Sequence, residues 1–196
     1  LIPTLAVLIM KPNLFNDWRH FYFLNLGIIY FATLGIEFFF NFIKNKKVLY
    51  FFTFVILLYF FNISAWMIKN HPYQHVFFNH FAKKNYNKFD LDYWGLSNLE
   101  ALKFIVNNLE SKQDKVTIKA IGESKIIYAY KVLNKVSKNK IEILKRDNLL
   151  DADFYITNFH DGKSKDFYLA EGFEIVKEIN VDKFPINLIM KKTLSK

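Results

Sequence analysis

The densest chemistry in this sequence lies between His71 and Ala101, HPYQHVFFNHFAKKNYNKFDLDYWGLSNLEA. His71, Tyr73, Gln74, Asp92, Tyr93 and Trp94 stand together where a plain linker would carry Gly, Ser or Lys. Convergent aromatic and hydrogen-bonding groups of this kind suit a surface that grips a polar ligand. A second candidate is the pair Arg19-His20. Arg offers a permanently charged, bidentate grip on an anion, and His adds a donor or a second charge. Arg19 can equally meet lipid headgroups or pair with Asp17. His71, His75 and His80 invite a metal reading, but Pro72 opposes a helix at the first of them and no acidic or Cys ligand is adjacent. Their plainer role is hydrogen bonding at an interface, so no metal is expected.

The chain has 196 residues, 52% of them hydrophobic, and it divides into two unlike parts. Residues 1–68 carry five basic and two acidic side chains, and residues 69–196 carry 22 and 16. The basic excess suits an anionic membrane surface or ligand, although ordinary solvation accounts for most of the lysines. There is no Cys, which excludes disulfides, thiolate metal sites and a Cys nucleophile.

Leu1 to Met10 is apolar but about half the roughly 20 residues that a span needs. It reads as the end of an earlier helix, so the chain is expected to be the C-terminal piece of a longer protein. A short interfacial helix is the alternative. Residues 21–43 contain one charge, Glu37, and residues 48–68 contain none. Both runs are long enough to cross a bilayer as helices. Trp18, Tyr22 and Trp66 mark one set of ends and Tyr50 the other, as an aromatic belt does. Glu37 shares a helix face with Asn41 and Lys44, which favours snorkelling toward the turn over an intramembrane function. The three lysines of the turn Lys44-Asn45-Lys46-Lys47 favour a cytoplasmic turn, and Lys69, Lys83, Lys84 and Lys88 nearly balance them.

Residues 69–196 read as a small soluble α/β domain. Ser97 and Glu100 have capping-box spacing, with Ser97 as N-cap, and Leu99, Leu102, Val106 and Leu109 extend a helix to about Glu110. Val116–Ile121 reads as a strand, and a second helix follows Gly122 and Ser124 to about Val136. Ile141–Leu144, Phe154–Phe159, Phe173–Val181 and Ile186–Lys191 read as further strands. The order implies a βαβ unit and then a run of strands ending in an antiparallel pair. The whole is a membrane α-helical hairpin, preceded by the end of another helix and followed by a small α/β domain. The single glycine after the first strand is not a nucleotide fingerprint, and no P-loop, HExxH or GxSxG is present. Nucleic-acid binding has only net charge behind it.

Two stretches resemble the C-terminal part of integral-membrane, polyprenyl-phosphate-sugar-dependent glycosyltransferases, the bacterial relatives of protein O-mannosyltransferases. LFNDWRHFYFL, Leu14 to Leu24, resembles the family's Tyr-Asn/Asp-Gly-x-Arg-His-Phe loop before a span. HPYQHVFFN and FDLDYWGLSNLEA resemble its His-Pro-Tyr-Gln-Tyr-Val-Tyr-Phe-Asn and Asp-Tyr-Trp-Gly stretches. Phe15, Phe77 and His75 stand where the family has tyrosines, and Asp17 where it has glycine. Nothing here matches the family's catalytic acidic residue, which lies in the first outward loop. The resemblance therefore implies a portion of a transferase without its base and without a cofactor, the lipid-linked sugar being substrate. It implies a multi-pass protein of a bacterial-type inner membrane with its C-terminal domain extracytoplasmic. Its partners would be the bilayer, the polyprenyl-phosphate sugar and an acceptor glycan, lipid or protein. In that setting Arg19 and His20 would hold the phosphate, Tyr73, Tyr93 and Trp94 would stack on a sugar, Asp92 would accept from its hydroxyls, and His71 and Gln74 would line the site. The other class of function open to the chain is a non-catalytic, membrane-anchored domain that binds a glycan, lipid or protein.

Overall fold

The computed structural model describes residues 2–11, 21–79, 81–109, 115–122, 124–145 and 151–193. The chain forms two units, Leu1–Asn62 and Ile63–Lys196. The first holds α1 (Ile2–Met10), α2 (Tyr22–Phe42) and most of α3 (Lys46–Lys69). Neither α2 nor α3 buries a single residue, and exposed apolar side chains dominate both. That is not the one-sided stripe of a helix lying on a protein core. Their 21 and 24 residues make both long and apolar enough to cross a membrane. Both threonine hydroxyls within them are satisfied locally: Thr33 donates to the Ile29 carbonyl at 2.8 Å and Thr53 to that of Leu49 at 3.0 Å. Phe39 meets Phe52 edge-on at 5.1 Å across the hairpin. The turn is shorter than the four residues expected, because Asn45 Oδ1 accepts from Lys47 N at 3.0 Å and starts α3 at Lys46. Glu37 is exposed on α2.

The second unit begins with the last turns of α3. Two short 3₁₀ stretches follow, Gln74–Val76 and Ala82–Lys88, and then α4 (Ser97–Asn107). The remaining order is β1 (Val116–Ala120), α5 (Ile126–Val132), α6 (Lys135–Asn139), β2 (Ile141–Leu144), β3 (Phe154–Thr157), α7 (Lys165–Ala170), β4 (Phe173–Val181) and β5 (Phe184–Lys192). The strands form one sheet in the order β2-β1-β3-β5-β4. β1 runs parallel to β2 and β3, with Val116 beside Ile141 and Ile118 beside Phe154. β5 runs antiparallel between β3 and β4.

Ile186 to Met190 are all buried, as an interior strand covered on both faces requires. β4 alternates exposed and less exposed residues over much of its length, as an edge strand does. On one face Leu102, Ile105, Ile118, Ile126 and Ile156 form the main core. On the other Tyr155, Tyr168, Leu188 and Met190 form a smaller one.

Two helix expectations change. The helix expected from Ser124 to Val136 is two helices, because Asn134 caps a new start by accepting from Ser137 N at 2.8 Å. α7 replaces what reads as loop, with Ser164 as its N-cap accepting from Phe167 N at 3.3 Å.

Candidate functional site

Asp92 is the anchor of the His71–Ala101 stretch, and it is fully buried. Its carboxylate accepts from Leu96 N at 2.9 Å, from Ser97 N at 3.0 Å and from the Ser97 hydroxyl. Asp92 thus does for α4 what the capping box assigns to Ser97. The helix needs acceptors for its first N–H groups, and a carboxylate there also favours the positive end of the helix dipole. Ser97 lies one residue inside the helix, and its side chain makes no cap. Glu100 does not reach back either; it accepts from the Tyr73 hydroxyl at 2.6 Å. Asp92 is therefore committed to its own backbone, and the expected contact with a sugar hydroxyl is replaced by this internal role.

Tyr73 is corrected in the same way. It is buried in the main core, so its ring offers no open face for stacking. Burial first, and then the Glu100 carboxylate, pushes its phenol well above the ordinary range. His75 Nε2 lies 3.5 Å from Asp92 Oδ1. Gln74 Nε2 is 2.7 Å from His71 Nδ1, and this pair stays at the surface. Together these contacts fold the HPYQ and DYWG stretches into one piece.

Beneath them is a buried polar web. Asn158 Nδ2 donates to the Asp92 carbonyl at 2.8 Å. Asn187 Nδ2 donates to Ser97 Oγ at 2.8 Å and Asn98 Oδ1 at 2.9 Å, and Asn98 Nδ2 donates to Ser124 Oγ at 3.0 Å. Gly95 has φ +68°, and a Cβ there would meet Asn98 Nδ2 at 2.5 Å. The web thus ties strands β3 and β5 to the loop that presents Tyr93 and Trp94.

Those two rings lead the accessible part. Trp94 is 55% exposed and meets Tyr93 edge-on at 5.3 Å. The Lys125 ammonium lies 4.3 Å from the Tyr93 ring and 4.6 Å from the Trp94 ring, within cation–π range. Tyr93 also meets His160 edge-on at 5.0 Å, and His160 Nδ1 is 3.7 Å from Asp90 Oδ1. Asp90 also lines a groove of about 590 Å³ with Lys88, Phe89, Lys163, Lys165 and Lys183.

Topology explains why these groups meet. β1 leads to β2 on one side and has β3 on the other, so the carboxyl ends of β1 and β3 flank a switch point of the sheet, where open α/β sheets take ligands. Lys125 follows β1 and His160 follows β3. Gly122, at φ +70°, lets the two loops close on each other, since a Cβ there would sit 3.0 Å from Asp161 Cβ. Lys125, His160 and Asp90 are not among the site residues expected from sequence. The available signal is the run Asn158-Phe159-His160-Asp161 at the end of an apolar strand, whose first two residues the sequence pattern assigns to the strand itself.

Arg19, His20 and His80 lie outside the described residues, as does the Trp18 end of the aromatic belt. Among the described residues no cluster of three or more His, Asp or Glu has the arrangement of a metal site. Comparison of the chain with protein-family models, curated proteins and solved structures finds no match.

Proposed function

We propose that this chain is the C-terminal portion of a membrane glycosyltransferase that moves a sugar from a polyprenyl-phosphate donor to an extracytoplasmic acceptor. In this reading α2 and α3 cross a bacterial-type inner membrane, and the sheet unit stands outside the cytoplasm. The observation that carries it is the joining of the two family-like stretches: HPYQHVFFN and FDLDYWGLSNLEA are held together by Tyr73–Glu100 at 2.6 Å and His75–Asp92 at 3.5 Å, immediately after an apolar helix long enough to span. Trp94 and Tyr93 offer ring faces to a sugar, and Lys125 offers positive charge to an anionic group on it. Arg19 and His20 would grip the donor phosphate. A carboxylate elsewhere in the enzyme would take the acceptor hydroxyl's proton as that oxygen attacks the anomeric carbon and the lipid phosphate leaves. The test is sugar transfer from labelled polyprenyl-phosphate sugar in membranes expressing the complete open reading frame. Arg19→Ala is expected to lower transfer at least about tenfold. Unchanged turnover removes Arg19 from the site, and no transfer by the complete protein overturns the reading.

The exposure of Trp94 also favours a second reading, a non-catalytic membrane-anchored domain that binds a glycan, lipid or protein. The reading frame upstream separates the two. Further spans with an acidic outward loop favour the transferase, and an immediate start codon favours the binding domain.

A further inference from the structure

Beyond the sugar site, the segment that follows α3 carries a second surface. Trp66, in the last turn of α3, donates its indole N–H to Asp182 Oδ2 at 2.9 Å. Lys83 Nζ reaches the same oxygen at 3.5 Å. Trp66 also meets Phe77 edge-on at 5.0 Å. The 3₁₀ stretch Ala82–Lys88 is therefore pinned at the level of the last turns of α3, all within one unit. At its start Phe81 is 85% exposed, the most exposed of the large apolar side chains described. Lys83 and Lys84 beside it are exposed, and so is Lys69 at the end of α3. With Asp182, these charged groups sum to an excess of positive charge.

We infer that Phe81, Lys84 and Lys69 form a docking surface for an anionic lipid bilayer, at the headgroup depth that Trp66 marks. The inference rests on α3 being a membrane span. The chemistry is that of an interfacial anchor. An aromatic side chain enters the boundary between headgroups and acyl chains, and lysines meet anionic headgroups around it. Trp66 has the amphipathic ring found at that depth, with its N–H satisfied by Asp182. A spanning helix alone leaves the domain behind it free to swing. A second contact beside the helix end holds the sheet unit to the surface, and with it the aromatic shelf that Tyr93 and Trp94 form.

The absence of cysteine makes the test direct. Phe81→Cys, Val136→Cys and Leu57→Cys in the full chain each carry one environment-sensitive fluorophore, in nanodiscs of phosphatidylglycerol and phosphatidylcholine containing lipids with a doxyl group near the headgroup or deep in the acyl chain. Val136 is 69% exposed and serves as the solvent control, and Leu57 lies inside α3 as the span control. The label at 81 is expected to be quenched by the headgroup-proximal doxyl at least about threefold more than the label at 136. Replacing Lys69 and Lys84 by Gln, or leaving out phosphatidylglycerol, is expected to weaken that quenching, about fivefold in the docked-to-undocked ratio per lysine. A label at 81 as unquenched as that at 136, with the label at 57 quenched by the deep doxyl, overturns the docking surface and leaves the span intact. A label at 57 that is also unquenched overturns the membrane reading itself. Quenching at 81 that ignores both the lysines and the anionic lipid overturns the anionic specificity.

Discussion

Leu57 and Leu188 are the same residue type in two surroundings. Leu57, in the middle of α3, is 60% exposed, while Leu188, in the interior strand β5, is 0% exposed. The helices of the first unit keep their apolar side chains outside, and the second unit turns its own inward. Apolar content alone does not distinguish the two cases; arrangement does. An all-round apolar helix of span length satisfies its backbone internally and leaves its side chains for lipid. A sheet of short strands hides apolar residues only when helices cover both faces, as α4 and α5 do on one side and α7 on the other.

The largest test of this contrast is a matched truncation. Leu188→Ala is expected to cost about 2–5 kcal/mol of sheet-unit stability, from lost burial and the cavity left behind. Leu57→Ala is expected to change it by less than about 0.5 kcal/mol, because it removes no protein contact from that core. Hydrogen exchange of β1 and β5 amides in the full chain reads both. Equal effects would merge the two regions into one core.

Asp92→Ala comes next, at about 3 kcal/mol, since Leu96 N and Ser97 N lose their acceptor inside the protein. The same exchange measurement, followed at α4, is expected to show that helix opening first. Gly95→Ala is expected to cost about 2 kcal/mol, through positive φ and the clash with Asn98. Both substitutions would also disturb the shelf, because Tyr93 and Trp94 lie between them in sequence.

Tyr73→Phe is smaller, at about 1.5 kcal/mol for a hydrogen bond to a carboxylate. It also has a pH signature. The folded phenol titrates above its unfolded value of about 10. Its contribution is therefore complete below that pH and is lost as pH rises through the folded value. Alkaline unfolding of Tyr73→Phe should lose part of its steepness above pH ~10, Tyr168 retaining its own share because burial raises that phenol too. An unchanged alkaline profile would contradict the burial of the Tyr73 phenol beside Glu100. Trp94→Ala is expected to cost least, under about 0.5 kcal/mol, while weakening saccharide binding measured by titration of the full chain in detergent.

The hairpin, the strands and their antiparallel end were legible because each follows from a local period: long apolar runs for α2 and α3, short β-branched runs for β1 to β5. Three strands, β2 among them, match their expected bounds closely for this reason. The start of α4 was harder. Ser97 and Glu100 have the right types and spacing, but Asp92, five residues before Ser97, takes the cap. A contact made across a turn leaves no periodic trace. The shelf was half legible. Tyr93 and Trp94 stand out as neighbours in sequence, whereas Lys125 and His160 reach them only because β1 and β3 lie side by side. Tyr73 misled for a related reason: an amphipathic ring beside an apolar helix reads as a surface group, and the fold spends it in the core.

The contrast between outward-facing and core-facing apolar residues is tested most directly by labelling in intact spheroplasts. A membrane-impermeant maleimide is offered to Leu57→Cys and Val136→Cys in the full protein. Reaction is expected at 136 and none at 57 unless detergent dissolves the membrane. Rapid reaction at 57 in intact membranes would place α3 in water, and protection at 136 with reaction only after lysis would put the sheet unit on the cytoplasmic side.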